Sequence, residues 1–156
     1  MLMKPQFDWK NYDKQKDSIS RDTSKIKIGV HQEVHKIGEV HVQRFVEELG
    51  VTADAESLKN NEEFQLEIKN IRKQKKFEFT DPSPYLTHEG DFKPDGDELF
   101  MGIVTVSNII FDTSGTKGVL TAGFNCGRLC GYGYRVYIEL VKGKWRIKKM
   151  ELYVLS

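Results

Sequence analysis

Asn125-Cys126-Gly127-Arg128-Leu129-Cys130-Gly131-Tyr132-Gly133-Tyr134 runs directly into Arg135-Val136-Tyr137-Ile138-Glu139-Leu140-Val141. A glycine-rich turn holding both cysteines of the chain therefore opens a strand pattern. Glycine costs backbone entropy and reaches positive φ readily, so this cluster marks a specified tight conformation, with Gly127 and Gly131 as the residues it depends on. In the strand, Val136, Ile138 and Leu140 alternate with Arg135, Tyr137 and Glu139, one face apolar and the other polar. Lys142-Gly143 then makes a hairpin turn into Trp145 to Val154. Trp145 and Ile147 are out of phase with Met150, Leu152 and Val154. A slip of one residue reverses the faces, so a bulge is expected near Lys148-Lys149.

Further strands precede this hairpin. Phe100 to Phe111 is β-branched and apolar, Asp112-Thr113-Ser114-Gly115 is a turn, and Lys117 to Phe124 is a second strand. Upstream, Pro82, Pro84 and Pro94 make Thr80 to Asp97 a long loop, of the kind that is often functional or mobile. Residues 61 to 79 satisfy both periods; the run Arg72-Lys73-Gln74-Lys75-Lys76 tips the reading to helix. Val34, Ile37, Phe45 and Leu49, joined by Val42 and Val46, form a helical stripe from Val30 to Leu49, with Gly50 as C-cap. Gly38 also permits a shorter helix over about residues 39 to 49. Asp54 can cap a turn through Leu58.

Residues 1 to 25 are polar and aperiodic and read as an N-terminal arm. Residues 26 to 156 then form one domain. Helices first and an antiparallel meander last give an α+β class, a helical segment packed on a C-terminal antiparallel sheet. The cystatin-like cone is a fold-level analogy for it. The pattern predicts Trp145, Val136, Ile138, Leu140, Phe111 and Val104 buried, with Lys144 and Arg146 exposed.

Composition narrows the function. The 24 basic and 23 acidic residues nearly cancel, which gives no global case for nucleic acid or an anionic membrane. No apolar run reaches the length of a membrane span. The start Met1-Leu2-Met3-Lys4-Pro5 lacks the apolar core of a signal peptide. A leader removed beforehand would leave the same sequence, so the compartment is open, with an extracytoplasmic home included.

Catalytic constellations are incomplete. His31 and His35 share a face on a helix, but Glu33 falls between them and not at the position a zinc protease needs, so no metal is assigned. In Asp91 to Glu98, Lys93 stands where a calcium ligand belongs. Gly127, Gly131 and Gly133 lead into a strand and not a helix N-terminus, which removes a nucleotide loop and leaves no cofactor assigned. Lys144, Arg146 and Lys148, with Arg72 to Lys76, can form a basic patch. A solvated face that blunts a sheet edge is the simpler account. Cys126 or Cys130 with His88 is the one nucleophile pairing worth testing, and no catalytic residue is assigned.

The cysteines themselves carry three readings. Residues four apart in a strand are roughly 13 Å apart, against the 4.4–6.8 Å of a disulfide. Bonding therefore needs the chain to fold back, as Gly127 and Gly131 permit. A small disulfide ring, a pair of buried thiols and a pair of metal ligands all remain, the last trailing the first two.

From Gly102 to Ser156 the chain resembles the C-terminal region of a family of small uncharacterised bacterial proteins, many of them from Bacteroidetes. The elements that carry the resemblance are Ser107, Phe111, the core Cys126-Gly127-Arg128-Leu129-Cys130-Gly131-Tyr132-Gly133, Gly143-Lys144-Trp145 and Ser156. The family often has Gly where Arg128 stands and Trp where Tyr153 stands. The resemblance implies shared structure over about a third of the chain and no particular reaction; some members carry secretory leaders. Glycine, cysteine and tyrosine in a turn shape a surface. A non-enzymatic binding module is therefore expected, with Arg128, Tyr132, Tyr134 and Tyr137 as contact residues for a protein or small ligand. Tyr153 belongs to the same aromatic group. A small-molecule enzyme with a pocket between sheet and helix is the alternative.

Overall fold

The computed structural model describes residues 25–93 and 99–155. The expected arm, residues 1 to 25, lies outside them apart from Lys25, as do Asp95 and Asp97 of the acidic loop. Strands make up 50% of the structure and helical residues 17%. The elements in chain order are β1 (Ile26–Val30), β2 (Glu33–Val34), α1 (Glu39–Leu49), α2 (Ala55–Lys59), β3 (Phe64–Gln65) and β4 (Phe77–Thr80). They continue with β5 (Phe100–Val106), β6 (Ile110–Phe111), β7 (Lys117–Gly127), β8 (Cys130–Val141) and β9 (Lys144–Leu155).

Seven strands form one mixed sheet in the order β4-β1-β5-β7-β8-β9, with β6 beside β7; β2 and β3 make a separate antiparallel pair. The strand β1 pairs parallel with both β4 and β5. The α+β expectation, helical material on an antiparallel meander, is therefore corrected, and the cystatin-like analogy goes with it. Helix in residues 61 to 79 is corrected too: this stretch holds β3, a 3-10 turn at Ile68–Asn70 and the start of β4. Ile26, Ile28 and Phe77, Phe79 alternate as strands do, and their pairing across a long crossover outweighs the helix propensity of the lysine run.

The shorter helix is the one that forms. Gly38 is extended, and the backbone of Ile37 just before it is claimed by Asn61, whose side chain accepts from the Ile37 amide and donates to its carbonyl, both at 3.0 Å. Helix cannot propagate through a residue whose N–H and C=O are spent elsewhere. At the far end Gly50 adopts φ 59 and donates to the Val46 carbonyl. Asp54 accepts from the Ser57 amide at 2.9 Å, the cap expected of it.

The β8–β9 hairpin matches its reading closely, whereas β7 and β8 run to Gly127 and from Cys130 into the stretch read as a turn. Lys142 and Gly143 both have positive φ, as a two-residue hairpin turn requires. Tyr137 faces Lys149 while Ile138 faces Ile147, so Lys148 is the extra residue of a bulge. A second register shift leaves Tyr153 extra between Leu152, opposite Tyr134, and Val154, opposite Gly133.

The burial of that sheet meets the expectation only in part. Helix α1 lies on the face of β7 and β8 that carries Val119, Tyr137 and Arg135. The core there is Ile37, Phe45, Ile110, Val119 and Tyr137. Val136 on the other face is buried, and Val104, Phe111 and Ile138 are half-buried. Leu140 and Trp145, expected in the core, are 37% and 45% exposed. Trp145 rests on Phe111 at 5.4 Å between rings. Lys144 and Arg146 are exposed, as expected. They belong to β9 at one edge of the sheet, whereas Arg72 to Lys76 precede β4 at the opposite edge. The two basic segments form no joint patch.

Candidate functional site

The β7–β8 hairpin closes with Gly127 opposite Cys130, and Cys126 is the unpaired residue between the Asn125–Gly131 and Gly127–Cys130 pairs. This bulge folds the chain back. The cysteine Cα atoms stand 5.1 Å apart with the sulfurs in bonding contact, within the range a disulfide allows. Gly127 takes φ 144 and donates to Asn125 Oδ1 at 3.1 Å. Gly131, by contrast, lies in regular β8 opposite Asn125 and is not among the positive-φ residues. The turn thus depends on one of the two glycines singled out in the sequence. Gly127→Val should cost about 1–2 kcal/mol and Gly131→Val clearly less, as thermal unfolding of the pair will show. Alkylation without reductant, read by mass spectrometry, should add no group to either cysteine and two groups after reduction.

Beside this turn opens a cleft of about 560 Å³. Its floor is Gly123 and Gly133, which face each other across β7 and β8. Neither residue carries a side chain, and neighbouring side chains close over both. Thr105 and Tyr153 lie across the glycines: a Cβ on Gly133 would stand 3.1 Å from the Tyr153 ring, and one on Gly123 would stand 2.6 Å from Thr105 Oγ1. Arg128 and Asn125 contribute from the turn, and Asp91 and Phe92 from the loop closed by the Leu86–Phe92 bridge.

The four residues expected to make contacts are distributed unevenly. Arg128 and Tyr132 both line the cleft. The register, however, pairs Tyr132 with Phe124 and Tyr134 with Ala122, on the face opposite Gly123 and Gly133. Tyr137 shares the cleft's face but is fully buried against Phe45 under α1. The tyrosine over the glycine floor is Tyr153, turned there by its bulge. Leu129, at the tip of the turn, is 90% exposed.

Behind Tyr153 lies a polar cluster that pattern reading missed. Arg135, only 6% exposed, donates from Nη1 to Glu151 Oε2 at 2.8 Å and from Nε to His41 Nδ1 at 3.2 Å. Tyr137 donates its hydroxyl to the same Glu151 oxygen at 3.3 Å. The Tyr153 ring meets His41 edge-on at 4.5 Å, with the Arg135 guanidinium 5.8 Å from its centre. An Nδ1 that accepts from arginine must be unprotonated, so the neutral His41 carries its proton on Nε2. Burial, and next the Arg135 charge, lower the His41 pKa from its ordinary value. The Arg135 hydrogen bond holds the Glu151 carboxyl below the usual carboxylate range. Burial pushes the Tyr137 phenol up. The cluster solves a packing problem: it lets an arginine be buried beneath a helix with its charge answered. Its one sequence signal was Arg135 and Glu151 alternating onto one face of adjacent strands.

The histidine pair stands differently from its helical projection. His31 and His35 flank the short strand β2, and their rings stack at 5.8 Å. Among the described residues no group of three or more His, Cys, Asp or Glu is placed to hold a metal. The cysteine sulfurs face each other, so neither is presented to His88 as a thiolate. No helix of the described residues is long and apolar enough to cross a membrane. No protein-family model, curated protein or solved structure matches this chain.

Proposed function

We propose that this chain is a non-enzymatic binding module, and that its recognition surface is the glycine-floored cleft beside the cysteine turn. The observation that carries the reading is the facing pair Gly123 and Gly133 in a cleft of about 560 Å³, a size that suits a small ligand or a short peptide segment. Tyr153 gives an amphipathic ring, while Arg128, Asn125 and Asp91 supply charged and amide groups within the same opening. A bonded Cys126–Cys130 pair would hold this wall rigid and suits an oxidising compartment.

The test is affinity. Ligands from a saccharide and short-peptide panel should bind wild type and lose about tenfold with Arg128→Ala, a change of roughly 1.4 kcal/mol. The melting temperature should stay as it was. Ligands that bind the variant equally well contradict the reading.

The enzyme alternative has one observation in its favour, the His41–Arg135–Glu151 cluster between α1 and the sheet. The space beside it is filled by Phe45 and Tyr137, and the His41 nitrogen that could act as a base is occupied by Arg135. Turnover of any substrate that Glu151→Gln abolishes would move the assignment to this cluster.

A further inference from the structure

The face of β8 and β9 opposite α1 is a row of apolar side chains that nothing among the described residues covers. Along β9 the row is Trp145, Ile147, Met150, Leu152 and Leu155. Opposite them in β8 stand Leu140, Ile138, Val136, Tyr134 and Tyr132. The bulges at Lys148 and Tyr153 each skip one residue, which keeps all five β9 side chains on one face. The charges of both strands turn the other way. On the α1 side Lys149 reaches Glu48 at 2.8 Å, Lys148 reaches Glu139 at 3.1 Å and Arg135 reaches Glu151 at 2.8 Å. Lys144 and Arg146, opposite Val141 and Glu139, alternate onto that side as well. A solvated sheet face is ordinarily polar. This one is not, with Ile147 62% and Met150 50% exposed. Leu140 and Tyr132 are exposed along with the five of β9. At roughly 200 Å² for a fully exposed side chain of this size, their exposed fractions leave on the order of 700 Å² uncovered. That exceeds the roughly 300–600 Å² of the largest patch on a typical monomer. It approaches the roughly 800 Å² that each partner buries in a standard interface.

The edge of β9 is defended against strand addition and its face is not. Lys144, Arg146 and Lys148 line the edge, and the two bulges interrupt the backbone groups that another strand would pair with. On the face, a charged partner finds nothing to pair with. An uncharged apolar face is complementary to itself, which is what a two-fold contact requires of one surface patch. Its area is that of a stable interface. We infer that two copies of this chain pack these faces together, sheet on sheet, as a two-fold dimer. The rows of β8 and β9 then become the two halves of a core about 10 Å thick. Trp145 and Leu140, half-exposed in the single chain, are interior in the pair. The cleft floored by Gly123 and Gly133 opens on the α1 side of the sheet, so the dimer leaves it accessible.

Sedimentation equilibrium of the full chain is the test. The expected result is a monomer–dimer equilibrium that reaches twice the mass of one chain, with a dissociation constant of about 1 µM or tighter. Ile147→Glu and Leu152→Glu, made separately, each put a carboxylate on a side chain that is exposed in the single chain. Each should keep the circular dichroism of the wild type and weaken the dimer about tenfold or more, since the charge would have to be buried unpaired at the contact. Lys144→Gln/Arg146→Gln, on the opposite face of the same strand, should leave dimerisation unchanged. Three results overturn the proposal. One is a full chain that stays monomeric at about 100 µM, whether residues 1–24 of the same chain or vesicles of zwitterionic phosphatidylcholine then prove to cover the face. Another is a dimer that neither glutamate weakens. The third is an equal weakening by the Lys144/Arg146 variant, which would move the contact to the charged edge.

Discussion

Phe45→Ala is expected to lower the unfolding free energy by about 3–5 kcal/mol. Phe45 is the fully buried residue of α1, and its ring stacks 6.5 Å from that of Tyr137. Val42 and Leu49 only edge onto the same core. An isolated helix of this length is marginal in water, so α1 holds its shape because Phe45 anchors it to β7 and β8. Removing the ring leaves a cavity between helix and sheet as well as losing buried area. Urea unfolding should show a lower midpoint with an unchanged slope. A loss under about 1 kcal/mol would mean that α1 does not lie on this face.

Arg135→Met should cost roughly 2 kcal/mol and change the shape of the stability profile with pH. Methionine keeps the volume of the stem and removes the hydrogen bonds to Glu151 and His41. In the wild type, His41 titrates below its ordinary value when folded. As pH falls through about 6.5 the unfolded chain therefore gains a proton that the native state refuses, and stability declines. Glu151 is also depressed when folded, so its contribution is present above its ordinary value of 4.5 and is lost as pH falls below it. Both groups weaken the protein in acid. In the variant the largest cause of the Glu151 contribution is gone, leaving the Lys149 charge and the Tyr137 hydroxyl, while much of the His41 effect stays because burial is its larger cause. The two profiles should thus draw together as pH falls through the folded Glu151 value, below its ordinary 4.5. Asp112 affects both proteins equally: burial pushes it up, and hydrogen bonds from Ser114 and the Lys117 and Thr116 amides more than offset this. Profiles that stay parallel down to low pH would separate Arg135 from Glu151.

Local signals were sufficient where partners are close in the chain. The β7, β8 and β9 strands, the Lys142-Gly143 turn and the bulge at Lys148 all follow from period-two alternation and its one break. Parallel pairing of β1 with β4 and β5 has no such signature, because the strands are joined by long connections and each is short. Face assignment was incomplete for a physical reason. Val136, Ile138 and Leu140 look like a core face, yet α1 covers Arg135 and Tyr137 instead. Burying that face becomes tolerable only when Glu151 from β9 and His41 from α1 arrive to satisfy the guanidinium. The site divides in the same way. The cysteine turn was legible from its glycines, whereas the cleft needs Asp91 from a distant loop and Tyr153 re-aimed by a bulge.

The central claim is that the surface beside the cysteine turn is where this protein binds its ligand. Amide chemical-shift mapping tests it most directly, with the saccharide and peptide panel titrated into the isotopically labelled chain. The account predicts that the shifts of any binder centre on Gly123, Gly133, Arg128 and Tyr153 and need about ten times the ligand concentration in the Arg128→Ala protein. Shifts centred instead on His41 and Glu151, or spread over the exposed face of β9, would contradict it.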